Sequence, residues 1–397
     1  MPHLPADSAS PSGGPAAVHV GGSQAQGLTA GIVQRSVLSD LLVRDLADRA
    51  TVVASGLLPP DVLAGTLGWH IPIITSTLGD DDGLLLTSVD MVRNADGSWT
   101  VLSDRTSIPY GLGLLGRFGW TDASPFGLFR SAVLAELDRR RIEDPVLLFD
   151  PGTFNPDENV ADSLRKLDAA ELTSAFGLRT LTARGLRMHR GKLIGIDDGE
   201  RPIRTILRYV PLRALDPLEP RSVGTSGVPG IAGLIRSGEV RVLNPGAAVV
   251  HNNPALAKFL PQLARHFLGE DLLLPPVTTY WCGDRAMCSH VISGISRLVL
   301  RSISGREILD GRQMTLHQCA ELCARISDEP WDWVGQEPVE PDAVQLPDGS
   351  IVPVLVRGFA VGNGSAWTAL EGGLAFVGEL DDRKRPVAQV IFDGTVA

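Results

Sequence analysis

The chain has 397 residues, 44 % of them hydrophobic, and a formal net charge of −10. That length buries a sizeable core and predicts two or three domains or lobes. The acidic balance argues against a general phosphate-backbone binder, which needs dense Lys and Arg, so nucleic acid is not an expected partner. No apolar run reaches the roughly 18 residues of a membrane helix, and the N-terminus lacks the basic-then-apolar order of a secretory signal, so the expected setting is cytoplasmic.

Residues 1–27 are rich in Ser, Gly, Pro, Ala and Gln and read as a disordered tail. From Thr29 to about Ala54 the residues Ile32, Val33, Val37, Leu41, Leu42 and Leu46 recur at helical spacing, which predicts a helix or helix pair closed by Gly56, Pro59 and Pro60. Residues 84–92 and 98–103 read as two strands around Asn94-Ala95-Asp96-Gly97, a hairpin turn. A glycine-rich loop (Pro109 to Gly116) leads to a helix over 124–140, then a buried strand at 146–150 with a crossover helix at 159–176. Short strands flank Arg190-Gly191, another strand covers 205–210, and 254–268 is an amphipathic helix. The last third predicts helices at 285–294 and 315–327 and strands at 297–302 and 332–337. Strands at 351–361, 365–370, 374–379 and 386–392 then build an antiparallel sheet. The fold class is mixed α/β (α+β), without an internal repeat.

Cys282, Cys288, Cys319 and Cys323 have spacings of six and four, which is not a zinc pattern, and read as reduced, packed thiols. No Gly-x-Ser-x-Gly elbow, Walker loop or strand-linked Gly-x-Gly-x-x-Gly occurs.

Six ordered segments carry more information than any of these. They are Gln34-Arg35, Asp90 to Gly113, Arg208 to Gly230, Phe259 to Glu270, Thr279 to Asp284, and Trp331 to Val339 with the later Arg357 and Glu371-Gly372-Gly373-Leu374. In this order they resemble the circularly permuted ATP-grasp family. The resemblance implies two or three lobes around a nucleotide cleft. Residues 28–145 would give the helical segment and metal-binding hairpin, 146–275 an α/β substrate-side domain, and 276–397 the lid and antiparallel sheet.

It also implies an ATP-dependent ligase that forms an amide or peptide-like bond through an acyl phosphate, from small-molecule or peptide carboxylates and amines, with ATP and Mg²⁺. Mg²⁺ wants hard oxygen ligands, and Asp90 and Asp104, on the two hairpin strands, are the candidates to share one cleft. A turn or cap role is the ordinary alternative for such acids. Developing phosphoryl charge needs fixed guanidiniums, for which Arg105, Arg208, Arg221 and Arg357 stand at matching positions, with Asp216 and Glu219 to orient Arg208 and Arg221. A helix start or turn is the other reading of those two acids. Gln336 and Glu337 would meet adenine and ribose.

The chain departs from the family pattern in places. Arg301 stands where a phosphate-binding lysine is usual, and a Gly-Ser-Gly loop followed by an acid is replaced by Asn244-Pro245-Gly246-Ala247-Ala248 and His251-Asn252. The Glu-Asn-Arg after the glycine loop is absent, Val223-Gly224 replaces an Asp-Ser, and the family's longer N-terminal region and last motif are missing, which reads as a shortened, divergent member. These departures keep a second expectation open, a degenerate, non-catalytic ATP-grasp module that binds a nucleotide or a partner protein and acts as a scaffold or regulator.

Overall fold

The computed structural model describes residues 17–69, 71–74, 79, 81–118, 121–149, 159–197, 201–219, 227–304, 307–341, 343–345, 351–364, 366–377 and 385–393. The chain opens with β1 (Ala17–Gly21), α1 (Gly22–Ala47), α2 (Thr51–Ala54), α3 (Pro60–Gly65), α4 (Ile71–Ile74) and the hairpin β2 (Leu86–Arg93) and β3 (Trp99–Arg105). Next come α5 (Pro125–Arg139), β4 (Val146–Leu148), α6 (Asn159–Phe176), β5 (Arg179–Leu181), β6 (Leu186–His189), β7 (Lys192–Gly195), β8 (Thr205–Arg208), α7 (Ile231–Arg236) and β9 (Arg241–Leu243). They are followed by α8 (Leu256–Leu268), β10 (Thr279–Trp281), α9 (Arg285–Ser293), β11 (Val299–Ser302), β12 (Ile308–Asp310), α10 (Leu316–Asp328) and β13 (Trp333–Gln336). The chain closes with β14 (Ala343–Gln345), β15 (Ile351–Pro353), β16 (Leu355–Asn363), β17 (Ala366–Val377) and β18 (Arg385–Asp393).

The largest sheet has the order β1-β18-β17-β16-β2-β3, so the early hairpin is completed by the last three strands of the chain. Gly97, at φ 82°, closes the hairpin, and Asp96 caps the turn by accepting the Ser98 N–H at 2.9 Å. Side chains alternate across this sheet. Val89, Met91, Val101, Val356 and Ala360 pack under Leu28 and Ile32 of α1, while Val92, Phe359, Leu374 and Phe376 face α5, α6 and the 3-10 turn Gly113–Phe118. Gly358 is needed where α1 crosses, because a Cβ there would lie 2.5 Å from Ile32 Cδ1.

Two expectations change here. The segment read as a tail contains regular structure: Ala17–Gly21 pairs in parallel with β18, and α1 starts at Gly22. The composition is that of a tail, but Val18 and Val20 find a partner strand at the other end of the chain. The strands expected at 365–370 and 374–379 are one strand, β17, because Gly372-Gly373 marks close approach to β16 rather than a break. A Cβ on Gly373 would lie 2.3 Å from the Arg357 carbonyl oxygen.

A second sheet, β5-β4-β8-β9, is wholly parallel, with α6 as the crossover between β4 and β5. Val146, Leu147 and Leu148 of β4 are all buried, as befits a strand covered on both faces. A third, small antiparallel sheet has the order β10-β13-β11-β12. Trp281 and Val334 on one of its faces join the core formed with α1, α3 and α8, and Leu300 and Trp333 on the other pack with α9 and α10. The four cysteines are unpaired thiols. No helix among the described residues is long and apolar enough to cross a membrane.

Candidate functional site

The hairpin places its two acids on opposite faces of the six-stranded sheet. Asp104 sits directly across from Val89, and Asp90 across from Ser103, so the alternation that turns Val89 and Met91 toward α1 turns Asp90 away from it. Asp90 is fully buried. Arg357, its register partner on β16, grips it with Nε to Oδ1 at 2.6 Å and Nη2 to Oδ2 at 2.8 Å, and Arg105 Nε donates to Oδ2 at 2.8 Å. Arg105 remains one-third exposed. Arg357 lies between the rings of Phe376 and Tyr110, 4.7 and 5.6 Å from its guanidinium carbon, and donates to the Tyr110 carbonyl at 2.8 Å.

The glycine-rich loop approaches this arginine at Gly111, at φ 108°, where a Cβ would lie 3.5 Å from Arg357 Nη1. Asp168 of α6 secures the loop by accepting the Gly111 and Leu114 N–H groups at 2.8 and 2.9 Å, and it also accepts the Tyr209 hydroxyl. Burial pushes the Asp168 carboxyl up to about 7, against the pull of those N–H groups and of Arg357. Burial, with the Asp168 charge behind it, also raises the Tyr110 hydroxyl. Sequence reading missed Asp168, whose signal is an acid set in the apolar stripe of Ala169, Leu172 and Phe176.

On the opposite face, Asp104 is held by Arg35 of α1, Nε to Oδ1 at 2.7 Å and Nη2 to Oδ2 at 2.5 Å. Arg35 also donates to the Leu274 carbonyl at 2.7 Å. Gln34 donates to Glu270 Oε2 at 2.9 Å, so the Gln34-Arg35 step and the Phe259 to Glu270 segment meet in space. The expectation that Asp90 and Asp104 face one cleft is therefore corrected: they point apart, and each is neutralised by arginine. No group of three or more His, Cys, Asp or Glu able to hold a metal occurs among the described residues.

Residues Gly246 to His251, expected from the resemblance to stand in place of a glycine loop, form a buried 3-10 turn. Asn244 secures its entry by accepting the Leu85 N–H at 2.7 Å and donating to the Leu86 and Thr106 carbonyls at 2.6 Å each. His251 stands near Asp104 and Arg35, and burial holds it down to about 4 against the pull of Asp104 and of the Ala248 backbone.

In the small sheet, Arg301 and Gln336 share the face turned toward the body of the protein, Arg301 Nη1 lying 3.4 Å from Gln336 Oε1. Gln336 also donates to Thr279 Oγ1 at 3.0 Å. Glu337 takes the other face, accepting the Tyr280 hydroxyl at 2.9 Å.

Arg208, at the end of β8, is buried, donating to the Val210 carbonyl at 2.7 Å and to the carbonyl and hydroxyl of Ser107 at 3.0 and 2.9 Å. Burial lowers its guanidinium to about 10, still protonated at neutral pH. Asp216 does not orient it: that carboxylate accepts the Leu218, Gly230 and Ala232 N–H groups, capping the approach to α7. Arg221 lies outside the described residues.

The chain is similar in sequence to known proteins. The family model for circularly permuted ATP-grasp type 2 matches residues 20–117 and 128–378. An uncharacterized protein of Mycobacterium tuberculosis is 28 % identical over 370 residues, 88 % of this chain and 41 % of its own length. A second uncharacterized protein of that organism is 23 % identical over 372 residues, 88 % of this chain and 66 % of its own. A Frankia alni protein named "Putative glutamate--cysteine ligase 2-3" is 24 % identical over 332 residues, 78 % of this chain and 37 % of its own. The chain thus spans about two fifths of the length of the first of these relatives. With one family model matching most of its length, the chain belongs to the circularly permuted ATP-grasp type 2 family.

Proposed function

We propose that this chain is a carboxylate–amine ligase module that uses ATP to form an amide or peptide-like bond. The observation that carries the reading is the arginine pair around Asp90: Arg105 and Arg357 are both fixed by one carboxylate, and Arg105 keeps a third of its side chain exposed. Cations held in place before reaction are what a transferring phosphoryl group requires. The family, and the ligase name of the Frankia relative, support the same class.

In this reading a carboxylate oxygen bonds to the γ-phosphorus of ATP as the bond to ADP breaks. The amine nitrogen then attacks the acyl carbon of the acyl phosphate, phosphate leaves, and the amine proton passes to substrate or water. Arg105 and Arg301 would meet phosphate oxygens, Arg357 would hold Arg105 in place through Asp90, and Gln336 and Glu337 would meet adenine and ribose. Arg208 and Arg221 would position the acyl end. Magnesium does not fit the hairpin acids as a pair, since Asp90 and Asp104 lie on opposite faces and each already binds a guanidinium.

A second reading, a nucleotide-binding or scaffold module without turnover, is favoured by the burial of Gly246 to His251 where a phosphate loop is expected. The experiment that separates them follows ADP release from Mg-ATP across a panel of carboxylates and amines, beside the melting temperature. Carboxylate-dependent ADP release supports the ligase. A Mg-ATP melting shift without ADP release supports the nucleotide-binding module, and no shift removes both the ligase and the nucleotide-binding module and leaves a scaffold that holds a partner protein alone.

A further inference from the structure

Four arginines are buried among the described residues: Arg35, Arg140, Arg208 and Arg357. Three of them hold a carboxylate, Asp104 for Arg35, Glu136 for Arg140 and Asp90 for Arg357. Arg208 does not. Its three hydrogen bonds go to neutral oxygens of Val210 and Ser107, and its Nε has no acceptor. A guanidinium kept from water without a counter-ion is costly to the fold. It fits a position that an arriving anion completes.

Such a position exists beside it. A cavity of about 50 Å³ lies between the parallel sheet, α5 and α6, walled by Leu86, Leu112, Leu147, Leu172 and Leu207, with Arg208 as the one charged group in its described wall. Asn244, also in the wall, is committed to backbone groups of Leu85, Leu86 and Thr106. The volume takes on the order of three or four water-sized groups.

We infer that this cavity binds a short-chain aliphatic monocarboxylate, its carboxylate on Arg208 and its hydrocarbon among the leucines. The role of that ligand as the acyl substrate rests on the ligase reading, whereas its binding does not. The wall also sets the selection. An amino acid would bring an ammonium for which the described wall offers no acid, and a second carboxylate would be stranded among leucines. The pocket therefore discriminates against glutamate.

The test uses the full chain at matched ionic strength, titrated by calorimetry and thermal shift with sodium propionate, propionamide, glutamate and, separately, Mg-ATP. Propionate is expected to bind saturably and raise the melting temperature, while propionamide, of the same shape without the charge, and glutamate do not. Arg208→Met should weaken propionate binding at least tenfold. Leu172→Phe, which fills the cavity and keeps Arg208, should do the same and serves if the methionine variant does not fold. Propionate and propionamide acting alike, or propionate binding that survives both substitutions, overturns the inference. Propionate binding without any response to Mg-ATP supports the pocket and counts against the ligase reading. A Mg-ATP response without propionate binding does the reverse.

Discussion

The six-stranded sheet and the end of the parallel sheet treat buried charge in opposite ways. On the first, Asp90 and Asp104 are each met by arginines from distant parts of the chain, Arg357 lying 267 residues from Asp90 and Arg35 lying 69 from Asp104. On the second, Arg208 has only neutral acceptors. Paired charges of this kind fix register and hold layers together, whereas an unpaired cation beside a cavity is a place for a ligand. The acids that sequence reading offers as metal ligands thus belong, in this structure, to the first class.

The largest expected effects test that division. Arg35→Met or Arg357→Met leaves a buried carboxylate with too few partners and should cost about 3–5 kcal/mol of unfolding free energy by denaturant titration. Asp104→Asn should likewise be destabilising, because it strips Arg35 of its ion pair. An Asp104→Asn protein as stable as the parent would break the comparison and return Asp104 to the ligands.

The next effect appears with pH. His251 is neutral in the fold down to about 4, against an ordinary 6.5, so the unfolded chain binds the extra proton between these values and stability falls as pH falls through that window. Asp168 runs the other way: held up to about 7 against 3.8, it keeps its proton in the fold, and its contribution is lost as pH rises from 3.8 to 7. Each has an upper limit of about 3–4 kcal/mol. Difference curves against the parent separate them. His251→Asn should remove the acid-side loss, and Asp168→Asn should remove the alkaline-side loss. A His251→Asn curve parallel to the parent from pH 4 to 6.5 would show that the imidazole is not closed off from water.

What the sequence made legible follows the range of the interaction. Helices predicted at 124–140, 285–294 and 315–327 stand within about two residues, because their starts are local: Ser124 accepts the Gly127 N–H, and Asp284 accepts those of Ala286 and Met287. The family segments were readable too, since they are ordered stretches. What was not readable is non-local. β1 needs β18, the direction of Asp90 and Asp104 needs the sheet's two coverings, and the partner of Asp104 lies on another element. Arg35 did carry a signal, a charge on the stripe of Leu28, Ile32, Leu38 and Leu42, all of them buried. Charge on an apolar stripe implies a buried partner, though it does not name it.

The smallest effects sharpen the comparison within the small sheet. Arg301→Ala should weaken Mg-ATP binding by on the order of 1.5–3 kcal/mol, measured by calorimetry, as for a charge-assisted hydrogen bond. Unchanged affinity would show that Arg301 does not replace the family lysine. Thr315→Ala, on the same lobe, opens the capping box in which Thr315 Oγ1 accepts the Gln318 N–H at 3.3 Å and Gln318 Oε1 accepts the Thr315 N–H at 2.8 Å. It should lower stability by about 1 kcal/mol and leave ATP affinity unchanged. The pair distinguishes a contact with nucleotide from a general loosening of the lobe: if Thr315→Ala weakens ATP binding as much as Arg301→Ala does, the loss at Arg301 reports lobe stability, and the phosphate role assigned to it fails.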